Sequence, residues 1–284
     1  MKLNWFSPVP PTASSAALQT AAVLPSLAKH ASVTLWVHDA IWSPDLDQHA
    51  RVCRYDPGKM PWAEINAADA TVYHLGNDAK IYGPIWQVNR QHPGIVVLHD
   101  LVLQQLFAGL VNQDLGLSLE EYREMMKFHH PEGGLELAND FLSGVRSADE
   151  ISQDCLLTGA ALENATAVVV HTQAAYSLVS SYTTSPVAFV PLFALAGTAS
   201  PEGEISGDPT ASGDRPETVE GYVRGILDLV RITLDAGGRE AVRWMAGRTG
   251  RAIEPWFTET AAGVLITQVA QTIKDLFDDH PARP

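Results

Sequence analysis

Apolar and polar positions along the first 195 residues alternate between a period of two and a period near 3.6, which separates strands from helices. Lys2 to Phe6 is a short, mostly apolar strand that runs into "SPVPPTASS". The adjacent prolines end it, and Thr12, Ser14 and Ser15 are good N-caps for the Ala/Leu-rich helix that follows. Pro25 predicts a kink or an end to that helix, with a last turn through Leu27 left open. "SVTLWVHD" (32–39) reads as a buried strand, with Val33, Leu35 and Val37 alternating about Trp36, and "ARVCRY" (50–55) as a weaker one.

From there the pattern becomes regular. "ATVYHL" is a strand followed by a helix over 79–91, and "GIVVLH" is a strand followed by a helix over 101–112. A strandless, helical stretch covers roughly 118–164. It contains "LSLEEYREMMKF", "GGLELANDFLSGV" and "ADEISQDCLLTGAALENA", read as three helical runs. "TAVVVH" (166–171), a helix opened by Thr172, and "VAFVPL" (187–192) complete the series.

Strand–helix repetition with near-continuous apolar strands predicts an α/β fold, a doubly wound, Rossmann-like parallel sheet over 1–195 carrying a helical insertion. Composition changes after Leu195: 196–216 is rich in Gly, Ser, Pro and acidic residues and reads as a flexible linker or loop. Three helical stretches, 217–236, 238–248 and 256–277, close the chain, with no strand evident among them.

Charge and composition narrow the chemistry. At 284 residues, 46% hydrophobic and 18% charged, the chain can bury a sizeable core. A net charge of −14 disfavours nucleic acid and anionic membranes, since no basic stripe is present. Cys53 and Cys155 are too few for a disulfide framework or a zinc site. "MKLNWFSPVPP" lacks a signal peptide's apolar core, and no run reaches the length of a membrane span, so a cytoplasmic location is expected.

In an open parallel sheet, ligands meet the carboxyl ends of the strands. His38-Asp39, His74, His99-Asp100 and His171 all fall at such ends. Singly, each imidazole is most simply a strand cap; four at one rim point to a ligand-facing crevice. His129-His130 are adjacent and cannot share one metal from a helix, and no ligand spacing of a zinc site occurs, so no metal is expected. There is no Gly-x-Ser-x-Gly elbow, no Walker loop and no Gly-x-Gly-x-x-Gly after the first strand.

"WFSPVPPTASSAA", "YHLGNDAKIYGPIW", "HPGIVVLHDLVLQQLF", "ATAVVVHTQAA" and "PVAFVPL" occur in an order and spacing that resembles the N-terminal half of bacterial family-4 glycosyltransferases of GT-B architecture. The resemblance covers roughly residues 3–195. It implies hexosyl transfer, of retaining type, from a nucleotide-sugar to a glycan or lipid-linked acceptor, without a further cofactor. It also implies roles: His99 faces the reacting sugar, with Asp100 either orienting it or capping the next helix, His74, Asn77 and His171 line the acceptor side, and Ser14 and Ser15 meet the donor's diphosphate at a helix N-terminus.

Two departures stand out. "TASSAA" has no glycine where that loop is usually glycine-rich. After Leu195 the remaining residues look like a linker, the helix that follows a donor site ("ETVEGYVRGILDLV") and a final helix packing back on the first domain ("WFTETAAGVLITQVAQTI"), so most of a donor-binding domain is missing. A second copy of the chain or a partner glycosyltransferase chain would then complete the donor site. The alternative is a non-catalytic glycan-binding or regulatory module derived from such an enzyme. A Rossmann-type nucleotide-binding protein unrelated to sugars ranks below both.

Overall fold

The computed structural model describes residues 1–113, 115–193 and 218–235. The expected linker (196–216) and the last two helical stretches (238–248 and 256–277) lie outside the described residues.

Seven parallel strands form one sheet in the order β3-β2-β1-β4-β5-β6-β7. They are β1 (Lys2–Phe6), β2 (Ser32–Val37), β3 (Arg51–Arg54), β4 (Ala70–Leu75), β5 (Gly94–Leu98), β6 (Ala165–Val170) and β7 (Val187–Phe189). The order reverses between β1 and β4, which makes the fold doubly wound and opens a crevice beyond the carboxyl ends of those two strands. "ARVCRY" reads weakly as a strand because β3 is an edge with no fully buried residue.

The helices are α1 (Ser15–Leu27), α2 (Trp62–Ile65), α3 (Ala79–Asn89), α4 (Gln104–Asn112), α5 (Leu119–His129), α6 (Gly134–Leu142), α7 (Ala148–Ser152), α8 (Thr158–Ala161), α9 (Gln173–Tyr182) and α10 (Val219–Asp235). Ser14 caps α1 by accepting from the Ala17 N–H at 3.1 Å, and α1 runs past Pro25 to Leu27. Between α4 and β6 lies the expected helical insertion, α5 to α8. Its last run is two short helices rather than one. Leu157 adopts a left-handed φ of 55°, and the Leu103 N–H takes up the Leu156 carbonyl at 2.8 Å, so the backbone there is bonded outward instead of along a helix.

Alternate side chains divide the core into two layers. Phe6, Trp36, Tyr73, Val96 and Val168 face α3 to α9. Trp5, Leu35, Val72, Val97 and Val169 face α1 and α10. Tyr222, Val223, Ile226 and Val230 carry α10 onto that second face. No helix among the described residues is long and apolar enough to cross a membrane.

One polar knot ties the sheet centre. Asn4, 2% exposed, donates to the Ile65 carbonyl at 2.8 Å and to Thr71 Oγ1 at 3.1 Å, and accepts from Trp36 Nε1 at 2.9 Å. Asn4→Ala leaves the Trp36 indole N–H dry and unpaired and the Ile65 carbonyl with only the Ala68 N–H at 3.3 Å, so it should lower unfolding free energy by about 2 kcal/mol in urea titrations. A change below a few tenths of a kcal/mol would contradict that role for the knot.

Candidate functional site

Each strand reaches the carboxyl rim with the parity set by its buried residues. His74 follows Val72, His99 follows Val97 and His171 follows Val169, each two positions on, so all three imidazoles share the face covered by α1 and α10. The His99 N–H donates to the Leu75 carbonyl at 2.8 Å, which extends the ladder to the imidazole itself. His74 and His99 rings lie 5.1 Å apart and are joined by a 2.9 Å bond between His74 Nδ1 and His99 Nε2. His171 follows at 5.3 Å from His99, and Trp5 lies 4.9 Å from His74 on the other side.

His38 does not join this row. It follows Trp36, whose parity is the opposite one, and it stands exposed beside Tyr55 at 5.7 Å. Its neighbour Asp39 accepts from Thr12 Oγ1 at 2.7 Å. Three imidazoles, not four, therefore form the row.

The remaining expected residues gather at the switch point. Gly76, just past β4, is close-packed: a Cβ there would lie 2.6 Å from the Tyr82 ring and 2.8 Å from Asp100 Oδ2. Asp100 accepts from the Asn77 N–H at 2.9 Å, and Asn77 Oδ1 accepts from the Leu106 N–H at 3.1 Å. These two side chains fix the loops after β4 and β5 to each other. Tyr82 from α3 stacks on His99 at 6.4 Å. Ser14 is engaged as the α1 cap, while Ser15 is exposed at the first turn of α1.

Tyr82, Trp5 and Tyr222 are the rim residues that sequence reasoning passed over. Trp5 shares the parity of Leu3 and could have been placed on the α1 face from that alternation. Tyr222, whose ring lies 5.9 Å from His171, comes from a helix remote in sequence, and no local pattern points to it.

Burial dominates the electrostatics. It holds His74 down to about 3, with the nearby His171 adding to the effect. It pushes His99 well below 6.5, helped by the two neighbouring imidazoles. His171 is lowered by burial and partly restored by its bond to the Val190 carbonyl. Burial, then Asp100, raises the Tyr82 hydroxyl to about 12, against a pull from Ser14. The row is a chain of neutral imidazoles able to donate and accept hydrogen bonds. No group of three His, Cys, Asp or Glu among the described residues is arranged to hold a metal ion.

Two hollows lie at the opposite ends of the strands. One of about 200 Å³ is lined by Trp86, Arg90, Glu121, Glu124 and Glu163, and a shallower groove of about 710 Å³ runs by Lys2, Ser32, His49 and Glu64. Neither touches the imidazole row. No protein-family model matches the chain, and no curated protein is significantly similar to it.

The row makes stability depend on pH with a definite sign. Native His74 stays neutral to about 3, whereas the unfolded residue ionises near 6.5. Stability is therefore full above pH 6.5 and falls as pH drops below it, by about 2 kcal/mol at pH 5 from this imidazole alone. Urea unfolding at pH 7.5 and 5.0 checks this, and His74→Gln should shrink the difference between them. An unchanged difference would contradict it.

Proposed function

We propose that the carboxyl rim of this sheet is a sugar-binding half-site of glycosyltransferase type. It would serve retaining hexosyl transfer from a nucleotide-sugar to a glycan or lipid-linked acceptor, with the donor site completed outside the first domain. The observation that carries this reading is the placement of His99. It is half-buried beside the β1/β4 crevice, braced by His74 through Nε2 and by the Tyr82 ring, which leaves Nδ1 as the nitrogen able to meet a ligand hydroxyl. A rigid neutral imidazole suits a sugar hydroxyl and a positive charge developing at the anomeric carbon, because it accepts without bringing charge of its own.

In this reading Asp100 and Asn77 act on loop position rather than on the sugar, since both are engaged with backbone N–H groups. His74 is sealed at 1% exposure and supports His99 instead of touching an acceptor. His171 remains a candidate for contact at the acceptor side.

A non-catalytic glycan-binding or regulatory module is the second reading, and the Ser14 geometry favours it. The Ser14 hydroxyl already caps the Ala17 N–H, so it offers less to a diphosphate than a glycine-rich turn would.

Calorimetry with UDP, GDP and their sugars separates the two. The enzyme reading expects sub-millimolar binding of one nucleotide-sugar, and His99→Ala should cost at least about tenfold in transfer while leaving the fold intact. Binding of free glycans without any nucleotide-sugar would favour the module. No binding of either class would refute both.

A further inference from the structure

The row of imidazoles ends under α10, and that contact is unusual in what it leaves unpaired. Of the eight buried side-chain polar atoms without a hydrogen-bond partner among the described residues, four lie here: Trp5 Nε1, His74 Nε2, His171 Nε2 and the Tyr222 hydroxyl. They belong to a continuous series of ring contacts from Trp5 through His74, His99 and His171 to Tyr222. Dry, unpaired polar atoms cost free energy that water returns when the layer above them lifts. Docking of α10 is thus opposed at His171 Nε2 and the Tyr222 hydroxyl, the pair that its contact seals.

His171 is the hinge of this arrangement. Its Nδ1–H donates to the Val190 carbonyl at 2.9 Å, which fixes the tautomer and leaves Nε2 as a bare lone pair. Val190 in turn packs on Gly225 of α10 so closely that a Cβ there would lie 3.0 and 3.1 Å from its methyl groups. Tyr222 seats on the His171 ring and takes the edge of Phe193 at 5.4 Å. A proton arriving at His171 Nε2 finds no acceptor among the described residues and sits beneath the apolar face of α10.

We infer that α10 is a pH-sensitive latch: protonation of the imidazole row, first at His171, releases the helix from the sheet and wets the α1/α10 face of the rim. The inference is independent of the sugar reading above. Among the described residues, the groups facing the row from the elements packed on it are Trp5, Tyr82 and Tyr222, none of which supplies a negative charge to hold an imidazolium; Asp100 is engaged with Asn77. Burial already disfavours the charged form of all three histidines. The other titratable contact of α10 works the opposite way. Glu220 pairs with His30 at 2.8 Å and also accepts from Ser26, and its carboxyl is held below the usual range, so mild acid keeps that tether.

Hydrogen exchange of the full chain, read by mass spectrometry at pH 7.5 and 5.0 and corrected for chemical exchange rate, tests the latch. One imidazole ionising near 6.5 only in the open form should raise opening of segment 219–235 at least about tenfold at the lower pH. Segment 94–98 of β5 should change far less. His171→Asn keeps a donor for the Val190 carbonyl but cannot ionise, and should remove most of the dependence, whereas His30→Gln should retain it. Equal opening at both pH values, loosening of β5 in step with α10, or a dependence lost with His30→Gln and kept with His171→Asn would each overturn the inference. Should the His171 variant fail to fold, the wild type still decides. The His171 ring must take up its proton at the pH where α10 opens, and a ring that titrates under a protected α10 refutes the latch.

Discussion

Side chains of a strand point alternately to its two faces, and in this sheet that two-residue period governs the rim. Val72, Val97 and Val169 are committed to the layer beneath α1 and α10. The residues two positions later inherit that face, and they are His74, His99 and His171. A shift of one residue in any of the three strands would send its imidazole to the opposite layer and break the chain of ring contacts. The hydrophobic core therefore aims the polar groups, and their neutrality follows from where it puts them.

Much of this was legible from residues alone. The strands are near-continuous apolar runs and the caps are local, so Ser14 and Thr172 mark helix starts that the structure shares. The doubly wound parallel class follows from the same regular alternation. What the local pattern could not give was the third dimension. His38 looks like its three counterparts until Val33, Leu35 and Val37 are used to fix parity, which puts Trp36 and His38 on the other face. The break at Leu157 and the Tyr222 contact depend on residues far off in sequence, so no short window contains their cause.

The candidate site shows how one group can serve two purposes. His99 is the rim imidazole best placed for a ligand, yet it is also the central member of a row whose neutrality supports the docking of α10. Tyr82 and Asp100 brace the crevice from the other side, where Gly76 is the residue whose lack of a side chain lets them meet. Ligand contact at His99 and attachment of α10 at His171 are therefore neighbouring events on a single stack of rings.

The central claim is that His74, His99 and His171 form one neutral row of contacting rings, hydrogen-bonded between His74 and His99. Long-range proton–nitrogen correlation of the imidazole rings near pH 6 tests it most directly. The account predicts three neutral rings, with His171 protonated at Nδ1 and a coupling across the His74–His99 bond. Three rings that titrate independently near 6.5, with no coupling between any pair, would contradict it.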